Sequence, residues 1–522
     1  MKGVFLLFRY LERVNSIHGY VIINYRDKSE VIWVSWFTSK KITLEPSGEI
    51  WQGATRILRA LADAGFEAYV IGGAVRDLVL KQTPHDYDIV TKARPDDIID
   101  IMAKAGFNTT GVVGKSFGVV VVMVPEGSYE VATFRRERYG ADSHRPEEVV
   151  YADTLEEDVA RRDFTVNGMA MTAQGEVIDL VGGLKDIKSL TLRTIGNAEE
   201  RFQEDALRLF RACRFVGKLG FLPHRSLLDG MAPNFKRVEG LSLERVRQEL
   251  DGLLVTPHAA KGLDVLVQSG LADCNCRILM AGEYELVPIL PELHHLVGLP
   301  QQPEFHAYDG WVHTLAVVQA IKPDLTLRWA ALLYDVAKGM DCIRGFHNGR
   351  ITDRGHDQLG AQMAEVILTR LQYPKKMVQR VAWLVSSHMR FHFFANNQDA
   401  DPWRWMRKEA QSGRFRKSSE LKEAVQQMAE VCAADVIGCG RPHSSTDGTY
   451  AMGECLAAIT ESVPIHTRDL AYGPELPALL GDKTGEILQA LLVQVRSGQV
   501  ANEPEALMEA AKRKLARKAR KE

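Results

Sequence analysis

Ala68-Tyr69-Val70-Ile71-Gly72-Gly73-Ala74-Val75-Arg76-Asp77 decides how this chain begins to fold, and Asp86-Tyr87-Asp88-Ile89-Val90 answers it a short way on. The first stretch reads as a short buried strand, Ala68–Ile71, a turn at Gly72-Gly73, and a helix over Ala74–Leu80. Glycines let the backbone approach a ligand closely, and a helix N-terminus offers free N–H groups to an anion. Gly73 and Arg76 therefore stand as candidate anion-binding residues. In the second stretch Asp86 and Asp88 are two apart on a strand and point to one side. Two carboxylates that close repel unless a cation lies between them. Mg2+ takes hard oxygen ligands from one or two carboxylates and a substrate phosphate. Taken alone, Gly-Gly is often only a tight turn and Asp-x-Asp only a polar strand edge. Together, at this spacing, they point to a metal-dependent phosphate site with Asp86 and Asp88 as metal ligands.

Outward from this centre the pattern is regular. Ala54–Ala64 has helical spacing of apolar residues and ends at Gly65. Strands are expected at Tyr87–Val90, Val119–Val124 and Tyr129–Phe134, with a helix over Asp96–Ala105. Glu130 opens the Tyr129–Phe134 strand. It is either a third carboxylate beside Asp86 and Asp88 or an exposed strand end, and the sequence leaves these two readings even. The expected sheet has four or five mixed strands. Beyond Arg161 the texture changes, strand signals thin past Thr191, and helical patterns run to the C-terminus. The fold class is α+β: a small sheet-bearing head, then an all-α neck and body.

A chain of 522 residues implies several domains. The divisions read as 1–48, an N-terminal extension of unclear role, then 49–190, 191–299, 300–440 and 441–522. Residues 1–48 match the rest poorly, look strand-like over Gly19–Trp36, and are read as a small appended element or, in preference, as the product of a start codon placed too early. With 46% hydrophobic and 25% charged residues, the chain has the composition of a soluble globular protein. Its formal charge is −2, so any nucleic acid must meet a local basic surface. Seven scattered cysteines without a Cys-x-x-Cys pair argue for reduced thiols rather than a disulfide framework. The apolar run Val4–Phe8 is too short for a membrane span or a secretory signal. A cytoplasmic protein is expected, with no membrane or protein partner implied. Lys512–Lys521 carries seven basic residues. They read as a solvated helix end or as a phosphate-contacting patch.

Several motifs then occur in a telling order: Gly72–Asp77, Asp86-Tyr87-Asp88, Glu130–Tyr139, Arg161–Asn167, Val181–Asp186, Arg201–Arg208 and Glu244–Leu250. Jointly, from Val70 to Leu250, they resemble the class II nucleotidyltransferase family, which contains CCA-adding enzymes and bacterial poly(A) polymerases. The resemblance implies a nucleotidyltransferase head that uses CTP and ATP as substrates, acts on a tRNA 3′ end and takes Mg2+. It implies that Asp86 and Asp88 are the metal-binding catalytic pair. Gly73, Arg76 and Arg162 would hold the nucleotide. Asp205 and Arg208 would read the base, and Arg211 and Arg214 would extend that nucleotide-binding row. Asp205 and Arg208 are three apart on a helix and so share a face, and Arg211 and Arg214 continue the row. An acceptor and a donor there can complement a base edge. Three arginines along one side of a packed helix would need phosphates or carboxylates opposite them.

Two further segments bear on the product. Gly114–Gly118 lacks the arginine-rich character of poly(A) polymerases, and Glu137–Pro146 retains a segment that CC-adding members tend to lose. Full CCA addition is the expectation, with A-adding, CC-adding or poly(A)-polymerase activity as alternatives. A second block resembles an HD metal-phosphohydrolase domain through His313, Tyr334-Asp335, His356 and His388. Tyr334 stands where the HD pair has histidine. A neutral phenol is a poor substitute for imidazole. A helical scaffold with weak or no hydrolysis is expected there.

Overall fold

The computed structural model describes residues 42–519 apart from 111–117, 140–145, 398 and 443, together with 22–25 and 28–31. It divides into two compact units, Met1–His294 and His295–Glu522.

The first unit is built on seven strands: β1 (Ala68–Ile71), β2 (Asp88–Thr91), β3 (Asn108–Thr110), β4 (Val119–Val124), β5 (Gly127–Thr133), β6 (Met169–Met171) and β7 (Val177–Asp179). They lie in the order β7-β6-β1-β2-β5-β4-β3. Only β2 and β5 run parallel, Ile89 pairing with Val131. The other neighbours are antiparallel. The expectation of four or five strands is corrected to seven. The missed strands β3, β6 and β7 have three residues each. That is too short for an alternation to declare itself, and Met169-Ala170-Met171 is buried throughout.

Helix α1 (Glu49–Asp63) buries Ala54, Ile57, Leu58 and Leu61, the stripe its spacing foretold. α2 (Gly73–Val79) leaves the Gly72 turn, where φ is +83°. α3 (Pro95–Lys104) starts on a proline and buries Ile98 and Met102. α4 (Leu155–Ala160) closes one side of the sheet, where Leu155 and Val159 pack with Ile71, Val90, Phe134 and Ala170. The N-terminal extension contributes a hairpin, Ile22–Tyr25 with Lys28–Val31. It also edges the sheet: Leu44 N–H donates to Gly175 O at 2.8 Å, and Val177 N–H donates to Ile42 O at 2.9 Å. Residues 114–117 of the Gly114–Gly118 segment and residues 140–145 of the Glu137–Pro146 segment lie outside the described residues.

After the sheet come α5 (Ala198–Glu204), α6 (Leu207–Leu219) and α7 (Leu243–Leu254). The second unit contains α8 (Gly310–Ala320), α9 (Leu325–Leu333), α10 (His356–Arg370), α11 (Lys375–Ala395) and α12 (Ser418–Gly438). Asp309 and Asp324 cap α8 and α9 by accepting backbone N–H bonds. The body is not purely helical. A hairpin pairs Asn275–Met280 with Glu283–Pro288, and another pairs Arg344–His347 with Arg350–Asp353. The second turns on Asn348 and Gly349, both at positive φ. Asn-Gly is the preferred pair for such a turn.

Candidate active site

The parallel pair β2–β5 sets the first site. Asp88 opens β2, with Asp86 just before it, and Glu130 sits one residue before Val131 on β5. The parallel register, Ile89 with Val131, sets Glu130, in the middle of β5, level with Asp88. Asp88 and Glu130 line one cavity of about 220 Å3 together with Arg135, Arg161 and Arg162. Although Asp88 keeps solvent contact, crowding by protein atoms, then Asp86, then Glu130 push its carboxyl up to about 6, against the pull of Arg162. The sequence left Glu130 open between two readings, and the fold places it beside Asp88. A site whose carboxylates resist their own charge, with hard oxygen donors and a neighbouring cation, suits a divalent metal bearing a phosphate.

Gly72 and Arg162 adjoin this edge. A Cβ on Gly72 would lie 3.6 Å from Arg162 Nη1. Arg162 is aimed by Asp158, which is fully buried and takes Arg162 Nε at 3.2 Å and Nη2 at 3.0 Å. The other Asp158 oxygen accepts Arg161 Nε at 2.9 Å and Nη2 at 2.8 Å. One carboxylate thus clamps two arginines at i+3 and i+4 on α4 and its end. Burial would raise the Asp158 carboxyl, but the two guanidiniums hold it below the usual range. Arg76 departs from expectation. Only 2% exposed, it pairs with Asp77 at 2.7 Å and donates to Asn167 Oδ1 at 2.5 Å. It braces the turn from inside rather than facing an open anion site.

Asp205 and Arg208 also require a correction. They do not share one helix. α5 ends at Glu204, Asp205 is extended (φ −141°, ψ 104°), and α6 begins at Leu207. Asp205 accepts Leu207 N–H at 3.0 Å and lies 3.7 Å from Arg245. Arg208 is 6% exposed and donates to Glu204 at 2.7 Å and to the Arg161 carbonyl at 2.8 Å. A helix break at Asp205 replaces the single face read from spacing. The rest of the row behaves as a buried arginine row must. Arg211 pairs with Asp163, its Nε donating at 2.9 Å, and Arg214 Nε meets Glu249 at 2.5 Å. Arg76, Arg211 and Arg214 all stand within 6 Å of the Phe215 ring, at 5.6, 5.6 and 4.9 Å. Asp158, Asp163, Asn167, Glu204 and Glu249 were not singled out from sequence. The available signal was charge balance: each buried arginine needed a carboxylate.

The second unit holds a cavity of about 780 Å3. The HD-like residues converge on it. His356 Nε2 lies 3.3 Å from Asp335 and 3.1 Å from His388 Nε2. Both rings place Nδ1 2.6 Å from a backbone carbonyl, Asp353 and Val385 respectively. That contact fixes the proton on Nδ1 and leaves the Nε2 lone pairs facing each other and a carboxylate, the donor set of a divalent metal. Burial and His356 push His388 down to about 4. Lys338 Nζ is 2.7 Å from Asp335. Tyr334, 1% exposed, sets its hydroxyl against His313 Nε2 and donates to Asp435 at 3.1 Å. Spacing had not revealed Asp435, His392, His306 or Cys439 as neighbours. Among the described residues, the groups of His, Cys, Asp and Glu whose ligand atoms lie within 4.8 Å of one another are both in this unit.

Residues 68–193 match the family described as Poly A polymerase head domain, and residues 220–274 match Probable RNA and SrmB- binding site of polymerase A. The chain is 36% identical over 252 residues to the CCA-adding enzyme of Lactobacillus helveticus, covering 48% of this chain and 61% of that protein. It is 43% identical over 217 residues to that of Streptococcus pyogenes serotype M5, covering 42% of this chain and 53% of that protein. The chain therefore spans only between half and about three-fifths of these relatives. Among solved structures it is similar to the Bacillus stearothermophilus CCA-adding enzyme in complex with CTP, with a TM-score of 0.61 and 26% identity over 91% of this chain and 100% of that one. No helix among the described residues is long and apolar enough to cross a membrane.

Proposed function

We propose that the chain is a template-independent tRNA nucleotidyltransferase that adds CCA to the tRNA 3′ end from CTP and ATP. The observation that carries this reading is the Asp86, Asp88 and Glu130 edge set beside the Gly72 turn and Arg162. The similarity to CCA-adding enzymes, one of them bound to CTP, supplies the substrate class. In the reaction the 3′-hydroxyl oxygen attacks the α-phosphorus in line, a phosphodiester forms, the bond to the β-phosphate bridge breaks, and pyrophosphate leaves as the hydroxyl proton passes to solvent. Asp86 and Asp88 would hold Mg2+, which would supply polarisation of the phosphate and a lower barrier to loss of the hydroxyl proton. Glu130 deepens the negative edge that draws the ion in. The turn at Gly72-Gly73 lets backbone approach the phosphates, and Arg162, held by Asp158, balances their charge. Asp205 and Arg208 offer an acceptor and a donor to the base edge. Arg208 must swing from Glu204 and the Arg161 carbonyl to do so. Gly73, Arg76, Arg211 and Arg214 shape the same nucleotide site, Arg76 from behind the turn.

In this reading residues 49–190 form the head, 191–299 the neck, 300–440 the HD-like domain and 441–522 a C-terminal helical region, all acting in the cytoplasm. The test is incubation with tRNA transcripts ending before CCA, after C and after CC, given CTP and ATP separately. With CTP the first transcript should gain two cytidines and the second one, and with ATP the third should gain one adenosine. Cytidine alone, adenosine alone or long adenosine tracts would replace CCA addition with one of its three alternatives.

A further inference from the structure

His306, His313 and Cys439 form the other group whose ligand atoms all lie within 4.8 Å of one another. The fold brings them together from three places. His313 is in α8, fully buried. Cys439 follows the last residue of α12. His306 comes from the irregular segment before α8, tied to Cys439 by Ala307 N–H donating to Cys439 O at 2.9 Å. At that junction Gly440, at φ +68°, lies against the Tyr308 ring; a Cβ there would come within 2.3 Å of it.

Two features at this junction lie outside the Asp335, His356 and His388 group. Cys439 Sγ stands 3.6 Å from His306 Nδ1. A thiolate about 2.3 Å and an imidazole nitrogen about 2.0–2.1 Å from one tetrahedral zinc ion stand about 3.6 Å apart. The second feature is His313. Its Nε2 is occupied by Tyr334 and by Asp435 at 3.0 Å, while its Nδ1 is buried with no hydrogen-bond partner. A carboxylate on one imidazole nitrogen is the usual support for a histidine that ligates through the other. The ring of His306 meets that of His313 at 4.6 Å between centroids. His306 and Cys439 also line the cavity, which leaves an open side toward it.

We propose that His306, His313 and Cys439 bind one borderline-soft transition ion of the zinc class, with a fourth position open to the cavity. The donor set is two nitrogens and a thiolate, so it selects against the hard ion of the transferase head. It is also distinct from the all-nitrogen-and-oxygen set of Asp335, His356 and His388. Binding fixes the segment before α8 onto the end of α12, and it releases the Cys439 proton, because the ligating species is the thiolate.

The full chain is to be stripped of metal and titrated with Co2+ alone. One ion should bind with tetrahedral visible bands and a near-ultraviolet thiolate-to-cobalt charge-transfer band. Cys439→Ser should abolish the charge-transfer band, and His306→Gln should weaken binding at least tenfold. Circular dichroism keeps misfolded variants out of the comparison. A cobalt spectrum without thiolate character overturns the assignment. So does a charge-transfer band that survives in Cys439→Ser, which would come from another cysteine. Binding lost in His388→Ala but kept in His306→Gln also overturns it, by placing the ion at Asp335, His356 and His388.

Discussion

The two cavities of this chain solve the problem of clustered charge in opposite ways. In the first unit the acidic edge is left incomplete. Asp88 remains in contact with solvent, its carboxyl raised by crowding and by Asp86 and Glu130, and the positive groups nearby are already held by other carboxylates. In the second unit the charges are closed on themselves. Asp335 is held well below the usual carboxylate range, burial being outweighed by Lys338, His356 and His313. Asp435 likewise meets His313 and His392 at 3.0 and 2.8 Å. An open acidic edge implies a substrate that arrives with its own cation and phosphate. Pairs that neutralise one another, as Asp335 with Lys338 and Asp435 with His392 do, hold the second unit's charges without an arriving substrate.

The largest expected effect breaks this comparison if it fails. Asp88→Ala should lower nucleotide incorporation by about 10³-fold or more, the scale of losing a preorganised electrostatic group at the reacting phosphate. Asp335→Asn should leave incorporation unchanged, since it belongs to the other unit. Equal losses in the two variants, measured by single-nucleotide extension of a tRNA transcript, would mean that the cavities act as one.

Next comes the scaffold of the head. Removing one partner of a buried ion pair costs about 3–5 kcal/mol, because the other charge is left unpaired. Arg211 is half-buried and keeps Glu249 at 3.9 Å, so Asp163→Ala, which strips it of its closest carboxylate, should cost less than that, about 1–3 kcal/mol in chemical denaturation. The same groups give the head its acid sensitivity. Burial would raise the Asp158 and Asp163 carboxyls, yet their arginine partners hold both below the ordinary value. Their stabilisation is therefore present above the unfolded carboxylate value of about 4 and is lost as pH falls through the lower folded values. An Asp163→Asn head should show a flatter acid limb. An unchanged limb would remove Asp163 from the account.

A smaller effect concerns base choice. Asp205→Ala removes one acceptor from the proposed base edge, worth about 1–3 kcal/mol, or about 5- to 150-fold in discrimination. Preference between CTP and ATP should fall while the dependence of rate on Mg2+ concentration stays put. Intact preference would leave base reading to other groups. Smallest is Tyr334→Phe, which frees Asp435 and His313 from a buried hydroxyl and should cost about 1–2 kcal/mol in the thermal stability of the second unit. A variant as stable as the parent would show that the hydroxyl is not a needed link in the closed cluster.

How far the sequence could be read follows from the range of each interaction. Ala68–Ile71 and Val119–Val124 were legible to the residue, because a buried strand between turn signals depends on near neighbours. Met169–Met171 was not, because three apolar residues become a strand only when β1 supplies the partner. Asn348-Gly349 was a legible hairpin signal that went unread amid helical patterns. Within the site, Asp86, Asp88 and Arg162 could be named from motif and spacing. Asp158, Asp163 and Glu249 could not, since each earns its role by meeting an arginine across a tertiary gap. The Asp205 and Arg208 face failed for a related reason: spacing of three means a shared face only if the helix is continuous, and here it breaks at Asp205.

By itself, then, the sequence determined the chemistry on offer: alternate carboxylates at a strand opening, a Gly-Gly turn before a helix, and arginines too many and too regular to be solvated. These are local, so nearest-neighbour geometry suffices. Only the tertiary structure decided which charges are spent and which are left over. The parallel register of β2 and β5 set Glu130 beside Asp88. Tertiary packing committed Arg76 to Asn167, Arg208 to Glu204 and the Arg161 carbonyl, and Arg211 to Asp163. The meeting of α8 with the end of α12 put two histidines and a cysteine around one point. Charges cancel across space rather than along the chain, so no reading of the chain alone could have settled them.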